Sequence, residues 1–453
     1  MGSLFGSLNA AAGSMRAFER ALNAVQNNVT NASTPGYARQ VQTLNARRFS
    51  AEDRLAGGVD PGDVISMRAD YAEKTVRRQQ HSFGFSAQKR SDLAQMESIF
   101  PIAEGTGING ALSKLYESFS LLTVSPNDAS VRQVVLDRAG ELANEFRTAA
   151  VGLTDAAAAS DQTARSLVSR INSIASQIRD INVERRRNFQ ASKDAGLDAQ
   201  LHAALEELAE YVDLNTVTQD DGSVTVLIGG QTPITIGDQL RPISVDFASG
   251  VTTVYDADGK DITGQIKQGR LGASIEVKNT VAPALMSDLD RLAQSVADRV
   301  NGLLAGGLDR NGAPPIRDLF SYDPVLGAAR TIQVTDITPQ EIAAASVGAP
   351  GGNGNALELA ALAGSYEIDG LTFSQYFGNL SAKVGRQLAR ALGDQQAQEQ
   401  LLSQARALRS ETSGVSLDNE AAQLIQLQRG YQATAKLLTV LNDLTGEVLG
   451  LIG

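Results

Sequence analysis

Residues 3–40 read SLFGSLNAAAGSMRAFERALNAVQNNVTNASTPGYARQ. Within them Leu4, Leu8, Ala11, Met15, Phe18, Leu22, Val25 and Val29 alternate spacings of four and three, a 3.5-residue repeat held for about four heptads. That period predicts a helix with one apolar seam. A lone helix of this length is only marginally stable in water, so the seam needs a partner. Beyond the seam Asn27, Asn28 and Asn31 fray the helix end. Thr34 is pushed towards extended geometry by the proline after it, and Pro35-Gly36 fits the central positions of a type II turn. Tyr37 and Arg39 then point the same way along an extended segment.

A similar stripe closes the chain. Leu417, Ala421, Leu424, Gln428, Tyr431, Ala435, Leu438, Leu441, Thr445, Val448 and Ile452 lie three and four apart, with Gln428 and Thr445 as polar interruptions. The broader face takes in Ile425 and Leu427. Two sticky helices at opposite ends of one chain are expected to pair with each other, with copies of themselves, or both. They are expected to lack order in a free molecule.

Between the ends helices dominate. Ser125-Pro126-Asn127-Asp128 reads as an N-cap, a proline at the first helical position and an acid in the first turn. Val135, Leu142, Phe146, Ala149 and Leu153 mark one face, then Leu167, Ile171, Ile174, Ile178 and Ile181 repeat the spacing. A turn at 193–196 leads to a helix through Leu201, Leu205 and Leu208, and helices are also expected over 71–99, 109–122, 281–304, 373–392 and 396–411. In mid-chain the period falls to two: Val224, Val226 and Ile228, then Ile234 and Ile236, Ile243 and Val245, Val251 and Tyr255, punctuated by Asp221-Gly222 and Asp258-Gly259. A second β-like piece holds Ile332 and Val334.

The expected fold is mainly α with a β insert. Residues 1–40 and 414–453 make a terminal α-helical coiled coil. Residues 41–213 with 277–305 and 356–413 make a long-helix bundle. Residues 214–276 with 306–355 make a small antiparallel β domain inserted mid-chain.

Composition narrows function by exclusion. With 453 residues, about three structural units are expected. A net charge of −11 argues against nucleic acid, whose phosphates need clustered Lys and Arg, and against anionic membrane surfaces. The absence of cysteine removes disulfides, thiolate nucleophiles and Cys-ligated zinc. No apolar run approaches the ~18 residues of a membrane span. Met1–Ala11 lacks a basic n-region and a continuous apolar core, so a cleaved secretory signal is not expected.

Candidate chemical sites are weak, and no catalytic, cofactor or metal residue is assigned. Gly105-Thr106-Gly107-Ile108-Asn109-Gly110 matches G-x-G-x-x-G, but helix, not strand, is expected before it. Asp256, Asp258 and Asp261 fit a hairpin turn better than a calcium loop. His81 and His202 sit on separate helices, and Arg185-Arg186-Arg187 reads as a solvated helix end. Asn28, Asn31 and Asn379 begin glycosylation sequons, a common chance match. An enzyme would have to rely on a carboxylate pair, which no string marks. A membrane-active helix would favour a basic polar face, and only Arg16 and Arg20 stand against Glu19 in the N-terminal helix.

The residues from Asn28 and Asn31 through Thr34, Pro35, Gly36, Tyr37 and Arg39 resemble the signature after the first helix of flagellar axial proteins: rod, hook and hook-associated subunits. Gly414-Val415-Ser416-Leu417-Asp418-Asn419-Glu420-Ala421-Ala422, with Leu427, Gln428, Tyr431, Gln432, Ala433 and Ala435, is similar to the C-terminal signature of the same superfamily. Ser3-Leu4-Phe5-Gly6-Ser7-Leu8, Gly269-Arg270-Leu271-Gly272 and Ala343-Ala344-Ala345-Ser346 resemble the hook-associated protein 1 family in particular. That resemblance implies a secreted structural subunit, not an enzyme, at the extracellular junction of hook and filament. It implies an uncleaved signal for the flagellar type III export apparatus and a cytoplasmic export chaperone on the C-terminal helix. It also implies a ring of identical subunits between the hook protein and a second junction protein, hook-associated protein 3. Another axial subunit (hook, rod or filament) is the alternative, and a flagellum-associated cell-wall hydrolase the alternative of another class. Some members carry a further outer β domain between the segments here numbered 320 and 331; this chain is too short there to hold it.

Overall fold

The computed structural model describes residues 2–50, 55–101, 103, 105–187 and 194–450. The chain opens with α1 (Gly2–Thr30), then β1 (Gln40–Ala46), the short β2 (Phe49–Ser50) and β3 (Leu55–Ala56), and β4 (Val59–Ser66). Helices α2 (Asp70–Glu97), α3 (Gly107–Val124), α4 (Ala129–Arg187) and α5 (Ala195–Tyr211) follow. Next come β5 (Leu214–Thr218), β6 (Val224–Ile228), β7 (Thr232–Ile236), β8 (Gln239–Leu240), β9 (Ser244–Asp246) and β10 (Thr253–Tyr255). Helix α6 (Gly269–Glu276) continues through a π turn, Val277–Val281, into α7 (Ala282–Ala305). Short pieces β11 (Gly307–Leu308), β12 (Phe320–Ser321), α8 (Ala328–Thr331), β13 (Gln333–Val334) and β14 (Ala345–Ser346) precede α9 (Gly354–Ala361), α10 (Phe373–Ser413) and α11 (Leu417–Gly450). No helix of the described residues is long and apolar enough to cross a membrane. The mainly α fold with small antiparallel sheets is the one the periodicities indicate.

The chain forms two compact units, Met1–Phe83 with Ile171–Pro242 and Gln398–Gly453, and Gly84–Arg170 with Ile243–Ala397. These cut the chain differently from the three-part division expected above. The β insert is shared out: β5 to β8 fall in the first unit, and the later strands in the second.

In the second unit apolar burial decides everything. Leu112, Leu115 and Phe119 of α3, Val135, Leu142 and Phe146 of α4, Leu285, Leu289 and Val296 of α7, and Phe373 and Phe377 of α10 share one core. Phe100 meets Phe377 at a ring distance of 6.3 Å. One cation is buried beside this core. Arg132 donates to the carbonyls of Pro126, Gln340 and Ile342 at 2.7, 3.2 and 2.5 Å, tying the start of α4 to 339–342.

In the first unit β5-β6-β7-β8 form an antiparallel sheet, Leu214 opposite Ile228 and Thr218 opposite Val224. Asn182 of α4 clamps it: its amide nitrogen donates to Val224 O and Gly237 O, both at 2.8 Å, and its oxygen accepts from Val224 N at 2.9 Å. The Asp221-Gly222 turn is present, with Gly222 at φ +79°.

Three expectations need correction. The segment 41–69 is not part of a helical bundle: β1 pairs antiparallel with β4, Gln40 opposite Ser66 and Ala46 opposite Val59. Its pattern is inverted, with Gln40 and Gln42 buried and Val64 and Ile65 half exposed, and Pro61-Gly62 reads against a strand. A two-stranded hairpin has only edges, where a proline costs no ladder bond. Second, 373–392 and 396–411 are one helix, α10; Gly393-Asp394 is exposed with open space at the missing Cβ, so the helix bears a glycine cost of about 1 kcal/mol and continues. Third, the cap of α4 is Asp128, whose Oδ1 accepts from Ser130 N at 2.8 Å, while Ser125 accepts the turn bond from Asp128 N at 3.2 Å. Lys193 of the turn expected at 193–196 lies outside the described residues; Asp194 caps α5 by accepting from Gly196 N and Leu197 N.

Candidate assembly site at the paired chain ends

Helices α1 and α11 pack on each other. Ala21, Val25 and Leu427 are buried together, with Phe18, Leu22 and Leu424 packed around them. The Phe18 ring lies over Gly430, so close that a Cβ there would sit 2.9 Å from it. Asn28 meets Glu420 at the other end of the contact. Rising numbers on α1 thus face falling numbers on α11, and the pair is antiparallel. Of the alternatives left open above, pairing of the ends with each other occurs within one chain, where the ends were expected to lack order.

The N-terminal seam divides by burial. Ala11 and Val25 are buried, Leu4, Leu8, Met15, Phe18 and Leu22 half-buried, and Val29 exposed. The C-terminal seam is shallower. Leu427 is buried; Leu424, Tyr431, Thr434, Ala435, Leu438, Leu441, Thr445 and Val448 are half-buried; Leu417, Ala421 and Gln428 are exposed. Ile452 lies outside the described residues. On the outer side of α11, Leu437, Val440 and Leu444 stay exposed along one face, as does Ile425 nearer the helix start.

α1 also has a second face that the apolar pattern did not mark. Ala10, Ala17, Ala21, Ala24 and Asn28 are buried and Ser14 half-buried, at spacings of four and three. This small-residue stripe receives the β1–β4 hairpin: Ser14 Oγ accepts from Val59 N at 3.3 Å, and a Cβ on Gly58 would sit 3.2 Å from Ala10. Alanine is weakly apolar, so this heptad is visible only when small residues are counted as a class.

The motif after α1 folds onto the C-terminal motif. Tyr37 N donates to Thr34 O at 3.1 Å and Gly36 has φ +74°, which makes the Pro35-Gly36 turn. Asn31 holds the frayed helix end, its amide donating to Asn27 Oδ1 at 2.7 Å and its Oδ1 accepting from Thr34 Oγ1 at 3.1 Å. A Cβ on Gly36 would lie 2.3 Å from Ala199 O and 2.8 Å from Ala203 N, so only glycine lets the turn rest on α5.

Beyond the turn the side chains converge. Fully buried Asn28 donates to Gln40 O at 2.8 Å and Glu420 Oε2 at 3.0 Å, and accepts from Gln40 N at 2.8 Å and Tyr37 Oη at 3.0 Å. Arg39 donates to Glu420 Oε1 at 2.6 Å and to Gln423 Oε1 at 2.9 Å. Burial, then the Glu420 charge, pushes the Tyr37 hydroxyl up to about 12. Buried Asn28 therefore has no room for a glycan. Glu420, which the sequence presents only inside a motif string, is the missed centre. The local signal for it was slight, since Glu420 is one of two acids, with Asp418, in the first turn of an amphipathic helix.

Alongside lies a charged network. Arg68 donates to Gly36 O at 2.6 Å and pairs with Glu73 at 2.5 Å and Asp198 at 2.7 Å. Glu73 also faces His202 at 3.8 Å and Arg409 at 3.4 Å. Burial alone would push Glu73 up, but His202 facing it at 3.8 Å and the Arg68 and Arg409 charges outweigh it and hold it at about 2. Arg186, of the basic triplet, pairs with Asp221 and Asp238 at 2.9 and 3.0 Å. Asp256 Oδ1 accepts from Asp258 N and Lys260 N, both 2.9 Å, as a turn residue does. α2, not a strand, precedes Gly105 among the described residues.

Comparison with known proteins converges on the same ends and the helical middle. Residues 93–320, half of the chain, match the family model of the flagellar hook-associated protein FlgK helical domain. Residues 406–451 match that of the flagellar basal body rod FlgEFG protein C-terminal region. A flagellar hook-associated protein 1 of Bacillus subtilis is 26% identical over 505 residues, covering 100% of this chain and 99% of that one. One of Salmonella typhimurium is 24% identical over 348 residues, covering 72% of this chain and 62% of that one. The structure of the flagellar hook junction protein FlgK from Burkholderia pseudomallei covers 75% of this chain and 100% of that one, with a TM-score of 0.66 at 14% identity. Buried motif, helical core and family matches agree, and the chain belongs to the family of the flagellar hook-associated protein FlgK, structural proteins of the bacterial flagellum.

Proposed function

We propose that this chain is a secreted, non-catalytic subunit of the hook–filament junction that assembles through its terminal helices. One observation carries the reading: after α1 and α11 have paired, Leu437, Val440 and Leu444 are still exposed along one face of α11, and Ile425 is exposed nearer its start. Burying them stabilises by roughly 1.5–3 kcal/mol per side chain, a gain open only to an assembled molecule.

On this reading the partners are further copies of the chain in a ring, the hook protein on one side and hook-associated protein 3 on the other, outside the cell. Before assembly the chain travels through the type III export apparatus, and an export chaperone covers the α11 seam. The ends, residues 1–40 and 414–453, form the inner layer of the tube, with the bundle and β residues expected above lying outside it. Between β12 and α8 only residues 322–327 intervene, so contacts made by a further outer domain are not carried over.

The test is Leu438→Asp. The variant is expected to keep the second unit folded and to be lost from hook–filament junctions in isolated flagella. Junctions of normal composition in that strain would refute the reading.

A further inference from the structure

We propose that Asn28 and Glu420, braced by Tyr37, Arg39 and Gln40, are a register lock that selects one alignment of α1 on α11. The apolar seam cannot make that selection alone. Slide α11 by one heptad and Leu424 is replaced by Tyr431, Tyr431 by Leu438, and Leu441 by Val448, although Leu427 gives way to Thr434 and Leu438 to Thr445, so a weaker seam is still presented. The same slide carries Glu420 about 10 Å along the axis, at 1.5 Å per residue. That strips fully buried Glu420 of both its partners, Asn28 and Arg39, and leaves fully buried Asn28 with the Gln40 and Tyr37 bonds but without the Glu420 one. Leaving such groups unpaired is what makes the wrong alignment costly.

A second, independent mark agrees. Gly430 leaves room for the Phe18 ring, which a Cβ there would meet at 2.9 Å, and one heptad either way presents Gln423 or Leu437 instead. Both marks point to the antiparallel pairing of a chain's own two ends. The lock thereby fixes which side chains of α11 remain outward, namely Ile425, Leu437, Val440 and Leu444. That last consequence rests on the assembly reading above; the lock itself does not.

The chain has no cysteine, so engineered pairs report cleanly. In the free full-length protein, Ala21→Cys with Leu427→Cys should form a disulfide within one chain. Ala21→Cys with Thr434→Cys should not, since a heptad of displacement exceeds what a disulfide spans. Adding Asn28→Leu and Glu420→Leu removes the lock but keeps an apolar contact. The ratio of the 427 to the 434 cross-link should then fall at least about tenfold, with helix content by circular dichroism retained.

Four outcomes would overturn the proposal: an unchanged ratio; no 427 cross-link in the unaltered pair; cross-links between chains in place of those within one; or loss of both cross-links together with helix, which would make the cluster a stabiliser and not a selector. Because the readout is a soluble chain, it stands apart from junction assembly. Normal junctions with Leu438→Asp would sink the assembly reading and leave these cross-links as they are.

Discussion

The helical core of the second unit and the paired ends of the first are both built from helices, but different forces hold them. The core buries Phe119, Phe146, Phe320, Phe373 and leucines from α2, α3, α4, α7, α9 and α10. The end pair buries three apolar side chains, Ala21, Val25 and Leu427, around a polar cluster. Apolar burial is large and indifferent to direction. Hydrogen bonds and ion pairs add less, but they discriminate between alignments. The core is therefore stable and tolerant of substitutions that conserve volume, whereas the ends are weakly held and closely specified.

The largest expected effect tests the core. Phe146 is fully buried on α4. Phe146→Ala should cost about 3–5 kcal/mol through lost transfer energy and a cavity. Denaturant unfolding followed by circular dichroism should show the loss. A shift under about 1 kcal/mol would mean the core re-collapses and that the contrast with the ends is overstated.

Next in size, Gly36→Ala tests specification at the ends. One methyl group would meet Ala199 O and Ala203 N while being forced to φ +74°. The expected cost is about 3 kcal/mol, from overpacking against backbone plus a left-handed residue. It should show as faster amide exchange over 31–40 and α5, with the second unit unchanged. Equal protection in the two proteins would break the claim that backbone fit specifies the turn.

How much of this was legible follows the same divide. Where burial follows one apolar period, as in Leu285, Leu289, Leu292, Val296 and Val300 of α7, the sequence displays the core directly. The 2.0 period at Val224, Val226 and Ile228 is as plain. The hairpin was hidden because its inner face carries Gln40 and Gln42 and its outer face Val64 and Ile65. The end cluster was only half legible. Motif residues Asn28, Tyr37 and Arg39 could be quoted, but their partner Glu420 lies 392 positions from Asn28, and no local rule joins such a pair. Polar networks become visible only once the chain is folded, because each member is defined by its neighbours rather than by its own period.

A smaller effect separates the two units by pH. Asp92, buried on α2 in the second unit, has its carboxyl pushed up to about 6 by burial, against the Gln88 hydrogen bond. Its Oδ2 has no partner among the described residues. Folded chains then hold a proton that unfolded chains release near the usual 3.8. The contribution is full below that value and is lost as pH rises through 6. Glu73 in the first unit has the opposite sign: lowered to about 2, its contribution is full above the usual 4.5 and lost as pH falls towards 2. Asp92→Asn should flatten the profile between pH 4 and 6 and raise stability at pH 8 by about 1–3 kcal/mol. An unaltered pH profile would show that this carboxyl is hydrated in solution.

The smallest expected effect concerns an ion pair with the same chemistry as Arg39–Glu420 and the opposite surroundings. Arg47 and Asp60 meet at 2.8 Å on the hairpin with both side chains about half exposed, whereas Glu420 is fully buried. In water the attraction is screened, and holding two long side chains in one geometry offsets most of it. Asp60→Ala should therefore change stability by under about 0.5 kcal/mol, and Glu420→Ala, which leaves Asn28 and Arg39 without their buried partner, should loosen the alignment of α11 on α1. If limited proteolysis of the chain ends responded equally to the two substitutions, burial would not be what gives the end cluster its weight, and the division between a tolerant core and specified ends would have to be redrawn.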